Sequence, residues 1–131
     1  MFTTRRGLLV GAAVLAAAGC TREKAQIITS DADLTAALRT ARTLAKGAEA
    51  LGYGDIAQDH LTHVETLERL LLPNVVSEEE AAAPADAAAL AEAESTGSRE
   101  AADSCLATES DYAVVLGEIA ASRAAHAAVL A

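Results

Sequence analysis

The sequence predicts an all-α protein: an antiparallel up-down-up-down four-helix bundle, preceded by a cleaved lipoprotein signal peptide. Three observations carry that expectation. Apolar residues recur at alternating spacings of three and four along separate stretches, which is the period of one helix face. Turn signals divide the stretches: Gly52-Tyr53-Gly54, Pro73, Pro84 and the Thr108 region. Nowhere do apolar and polar residues alternate with the period of two that a half-buried strand needs.

Arg5 and Arg6 form a short basic segment, and Leu8 to Ala18 an apolar one. The apolar run is shorter than the roughly 17–25 residues that span a bilayer, so residues 1–19 are expected to be a signal peptide. Ala17-Ala18-Gly19 places small side chains before Cys20, where a signal peptidase closes around the backbone. Thr4-Arg5-Arg6-Gly7-Leu8-Leu9 resembles the twin-arginine export signal, and Ala17-Ala18-Gly19-Cys20 resembles a bacterial lipobox with Ala17 in the usual leucine position. Cys20 is then the lipid-bearing first residue of the mature chain. Residues 20–30, polar and including Arg22, Glu23 and Lys24, form a tether, and 31–131 form the folded domain. The expected location is the outer face of the cytoplasmic membrane.

Of the 131 residues, cleavage leaves 112, enough for one domain. Losing Arg5 and Arg6 leaves 8 basic against 19 acidic side chains, a net charge of −11. So acidic a surface excludes nucleic acid, whose phosphates need clustered Lys and Arg. It also disfavours electrostatic adhesion to anionic lipid. The lipid on Cys20 must hold the protein. Cys105 is then the second of only two cysteines, so no intramolecular disulfide forms. Phe2, Tyr53 and Tyr112 are the only aromatics, and the core must be built from Leu, Ile, Val and alanine.

Ser30 or Asp31 is placed to cap a first helix over 31–51, striped by Leu34, Ala37, Ala41, Leu44, Ala48 and Leu51. The two glycines after it end it. Asp55 is expected to cap a second helix, 55–72, which Pro73 stops. Ile56, Ala57, Val64, Leu67, Leu70 and Leu71 share its apolar face. Pro84 suits the first position of a third helix, 85–107, whose face is Leu90, Ala93, Gly97, Ala101 and Cys105. Ser95-Thr96-Gly97-Ser98 threatens a break there, since glycine costs about 1 kcal/mol against alanine. Thr108 or Ser110 caps a fourth helix, 110–130, carrying Tyr112, Val115, Leu116, Ile119, Ala127 and Leu130.

Polar residues on these apolar faces carry the functional information. At about 100° per residue, His60 projects between Leu67 and Leu71, and His63 lies nearer the edge, one turn from Asp59. Glu94 shares an arc with Leu90, Ala101 and Cys105. Arg123 lies beside Tyr112 and Leu116, with His126 at the margin; Glu49 stands at a stripe edge and Glu118 on the wet side. Inward histidines and carboxylates hold di-iron centres in helical bundles, through a Glu from each of two helices and Glu-x-x-His from the others. Asp59-His60-Leu-Thr-His63 lacks that Glu, and Arg123-Ala-Ala-His126 places a cation in its position. A mononuclear zinc or copper site from His60, His63 and a carboxylate is the second possibility, because His-x-x-His shares one helix face. The third is a metal-free network: His63 paired with Asp59, and Glu94 compensated by Arg123, since buried charges need partners. A tight turn near Thr108 sets Glu94 and Arg123 at one height, so Arg123 is expected to donate to Glu94, with His60 or His63 as a third member. Cys105 has acidic neighbours, Asp103 and Glu109, and reads as a packing residue.

Three stretches carry a family resemblance: Asp59-His60-Leu-Thr-His63, Ala101-Ala-Asp-Ser-Cys-Leu-Ala107, and Ile119-Ala-Ala-Ser-Arg-Ala-Ala-His-Ala-Ala-Val-Leu130. Through them, 31–131 resembles the domain of short bacterial lipoproteins exported by twin-arginine signals. The resemblance implies a ferritin-like fold of unestablished function. In that group the first stretch is often Glu-His-x-x-His and the last contains Glu-Ala-Ala-His; Asp59 and Arg123 stand here in place of those glutamates. The function expected is a non-catalytic binding or structural module of the cell envelope, without a cofactor. Its partners would be the membrane, through Cys20, and an envelope protein or a second copy. The alternative is a metal-binding or redox protein using zinc, copper or iron at His60, His63, Glu94 and His126.

Overall fold

The computed structural model describes residues 32–74, 76–77 and 81–131. Arg5, Arg6, Cys20 and the tether lie outside the described residues, as do Ser30 and Asp31. The described chain is all helical. Helix α1 spans 32–50, α2 Gly54–Leu71, α3 Ala87–Ala107 and α4 Ala113–Leu130, and no strand occurs among the described residues.

The helix ends follow local chemistry, with corrections. Gly52 adopts φ +84°, the left-handed conformation that closes α1. Around it Gly52 N–H donates to Glu49 O at 3.1 Å and Tyr53 N–H to Ala48 O at 2.9 Å. Asp55 does not cap α2. The helix begins one residue earlier, at Gly54, without a side-chain cap, and Asp55 sits in the first turn, where the helix dipole favours an acid. Pro84 lies outside α3, whose cap is Asp86, its Oδ1 accepting from Ala89 N–H at 2.7 Å. The expected weakness at Ser95–Ser98 does not interrupt α3. Ser98 Oγ donates to Ala120 O of α4 at 2.8 Å, and Gly97 lies where two elements press close. A Cβ there would sit 3.1 Å from Thr40 Cγ2 and 3.3 Å from Arg123 Nη1. Tertiary packing outweighs the propensity deficit.

The core shows how the helices run. At one end Leu34 and Leu38, early in α1, pack with Leu67 and Leu71 late in α2, Ala101 late in α3, and Leu116 and Ile119 early in α4. At the other end Leu44 and Ala48, late in α1, meet Ile56 and Ala57 early in α2, Leu90 early in α3, and Leu130 at the end of α4. Helices α2 and α3 therefore run parallel. The order is up-down-down-up, not the expected up-down-up-down.

The physical reason is the 72–86 connection. An 18-residue helix is about 27 Å long, and fifteen residues at up to ~3.3 Å each are ample to return along it. Arg42 Nη1 donates to Val76 O at 3.2 Å and Nη2 to Glu68 Oε1 at 2.8 Å, fastening the start of the connection to α1 and α2. At its far end Pro84 lies against α1, so close that a Cβ on Gly47 would be 2.7 Å from Pro84 Cδ.

Helix α4 is the one described helix long and apolar enough to cross a membrane by composition, with a mean hydropathy of 1.4 over 18 residues. Leu116, Ile119 and Ala120 turn its inner face into the core, beside Arg123 and His126.

Candidate metal centre

The parallel course of α2 and α3 places His60, in the second turn of α2, level with Glu94, in the second turn of α3. The antiparallel α4 brings His126, in its last turn and a half, to the same height. One donor atom from each of the three lies within 4.8 Å of the others. His60 and Glu94 are fully buried and His126 is nearly so.

His60 Nε2 and Glu94 Oε1 are hydrogen bonded at 2.6 Å, and His126 Nδ1 lies 3.5 Å from the same oxygen. His126 Nε2 sits 3.1 Å from Asp59 Oδ2. That contact selects a tautomer. An imidazole donating from Nε2 to Asp59 presents the Nδ1 lone pair to the Glu94 carboxylate, so two acceptors face each other inside the bundle. A second proton on His126, a proton on Glu94 or a metal cation between the two relieves that opposition. Nδ1 of His60, Nδ1 of His126 and Oε2 of Glu94 are buried with no hydrogen-bond partner. Native interiors leave few such atoms unpaired, and these three belong to the three residues of the cluster.

The spacing suits a small ion. Ligands about 2.0–2.1 Å from a tetrahedral zinc stand roughly 3.3 Å from one another. The His126–Glu94 distance already matches, and the His60–Glu94 contact must open by less than ~1 Å. Asp59 then occupies the position of the carboxylate that orients a metal-bound histidine through its second nitrogen. A di-iron centre does not fit: it needs several inward carboxylates, and Glu94 is the only buried one among the described residues.

The other expected members are placed differently. His63 is half-buried and does not pair with Asp59, which faces His126 instead. Its ring centroid lies 6.2 Å from that of His60, and its buried Nδ1 has no partner. Burial, then the nearby His60 and Arg123, hold its pKa below the ordinary imidazole value; Asp59 opposes this and His126 adds to it.

Arg123 is 1% exposed, but it does not donate to Glu94. Its Nη1 donates to Gly97 O at 3.1 Å and its Nη2 to Ala37 O at 3.0 Å, joining α3 and α1 to α4, while Nε has no partner. The expected pairing failed through the turn. Residues 108–112 form a link, with Thr108 Oγ1 accepting from Ser110 N–H and Ser110 Oγ from Tyr112 N–H, so α4 starts three residues late. That slides α4 by about one helical turn. Arg123 falls level with Gly97, and His126 takes the place beside Glu94. Burial lowers the Arg123 pKa to about 10, with Glu94 and Glu100 pulling the other way.

Glu49 and Glu118 are exposed, and Cys105, half-buried, donates from Sγ to Ala113 O at 3.1 Å. Asp59 was missed as a partner of His126 because 67 residues separate them and no local spacing links the two. Comparison of the chain with protein-family models, with curated proteins and with solved structures gives no match.

Proposed function

We propose that this protein is a non-catalytic metal-binding module of the bacterial cell envelope. A ferritin-like bundle, lipid-anchored through Cys20, holds one divalent transition ion between His60, Glu94 and His126. The observation that carries the proposal is the meeting of Nε2 of His60, Oε1 of Glu94 and Nδ1 of His126 in the bundle interior, with Asp59 behind His126. Two imidazoles and a carboxylate suit zinc, copper or iron. The single long crossover between the second and third helices is the connectivity of ferritin-like bundles, which supports that reading of the fold.

The test is metal analysis and titration of the full chain, purified in detergent without a histidine tag. One equivalent of zinc or cobalt(II) is expected to bind, and His60→Ala or His126→Ala should weaken binding by at least about 100-fold. At a free ion concentration one hundred times Kd, binding stabilises the folded state by about 2.7 kcal/mol, so chelation should lower Tm. No stoichiometric binding, and no change of Tm with metal, would sink the proposal.

The anchor is tested separately. Cys20→Ser is expected to release the protein from membranes or leave an uncleaved precursor, and Arg5→Lys with Arg6→Lys to block export. A Cys20→Ser protein that is cleaved normally yet stays with the membrane would contradict the lipoprotein reading.

A further inference from the structure

Three donors leave one corner of a tetrahedron open, and the residue nearest that corner decides whether the ion meets water. A structural or carrier site closes all four positions, whereas a catalytic one keeps a position for water or substrate. Resting on the metal reading above, we propose that His63 is the fourth ligand and that its ring turns in from α2 to close the coordination shell.

Three observations support this. His63 follows His60 by three residues, a spacing that puts both side chains on one face of α2 about 5–6 Å apart at Cβ. The rings already meet edge to face at 6.2 Å, against 5.1 Å for His60 and His126. His63 Nδ1 is buried without a partner, so turning the ring breaks no hydrogen bond at that atom. Among the described residues no rival side chain is placed to serve. Asp59 is engaged by His126 Nε2, and Arg123 presents only donors. What remains is the second oxygen of Glu94 or a water molecule.

Cobalt(II) separates these cases, because its visible absorption is intense when four-coordinate and weakens when water enlarges the shell. The full chain with one equivalent of cobalt is expected to give the intense spectrum and to be unaffected by added azide. His63→Ala and the milder His63→Gln should keep helical circular dichroism and still bind cobalt, about 10–100-fold more weakly. Their absorption should be lower, and it should now respond to azide. Unchanged affinity and spectrum in both variants would overturn the role of His63 and leave the three-ligand site standing. A wild-type chain that binds cobalt but already responds to azide would do the same. Failure of the wild-type chain to take up cobalt would overturn the metal reading itself, and this inference with it.

Discussion

Glu94→Leu is expected to cost about 3–5 kcal/mol of folding stability, measured by denaturant unfolding in chelator. Glu94 is fully buried and accepts at 2.6 Å from an equally buried imidazole, with the Arg123 guanidinium raised toward charge by the same carboxylate. Removing one member of a buried charged set leaves the others without compensation. For a domain whose total stability is of order 5–15 kcal/mol, the loss is severe. Glu94→Gln, which keeps the shape and one acceptor, should cost less. His60→Leu removes the other half of the short contact, and the double variant should lose less than the two single losses together, by about 0.5–3 kcal/mol. Strict additivity would mean that the 2.6 Å contact contributes nothing.

Arg123→Met should move stability and metal affinity in opposite directions. The guanidinium joins three helices by donating to Gly97 O and Ala37 O, and it is the cation that balances Glu94 in the interior. Its removal should destabilise the metal-free protein by about 3–5 kcal/mol, since a buried carboxylate loses its counter-charge. The same cation repels a bound ion. At an effective dielectric of ~20, a unit charge and a divalent ion within one interior oppose each other by several kcal/mol, about 4 kcal/mol if the separation is on the order of 8 Å. Even a third of that is about tenfold in Kd, so the variant is expected to bind zinc at least tenfold more tightly. Weaker zinc binding by a folded Arg123→Met protein would show that Arg123 supports the ion, contrary to this geometry.

The histidines were legible because they break a pattern. His60, Glu94 and Arg123 stand on apolar stripes, and a 3.6-residue period is enough to turn them inward; all three are buried. The same period fixed the existence of four helices to within a few residues at each end. Local capping was less legible. Asp55 and Pro84 carry the right chemistry for helix starts, yet the chain begins those helices at Gly54 and after Asp86, where the turn geometry and packing against α1 decide. Ser95 to Ser98 misled in the other direction, because its small side chains are what let α3 approach Arg123 and Ala120.

The sequence by itself determined the class of the described domain, which faces are apolar and which polar groups leave water. Periodicity along a helix is a local property, and it survives whatever the other helices do. Which groups meet was left to the tertiary structure. A period states the angle at which a side chain leaves its helix, but not the height at which a neighbour passes. Height depends on the path of the connections. The fifteen residues between α2 and α3 are enough for α3 to run parallel to α2, which sets Glu94 beside His60. The five-residue link at 108–112 delays α4 by a turn, which exchanges Arg123 for His126 at the Glu94 carboxylate. Two connections with no buried polar residue among their described residues thus convert an expected ion pair into a cluster of two histidines and one carboxylate.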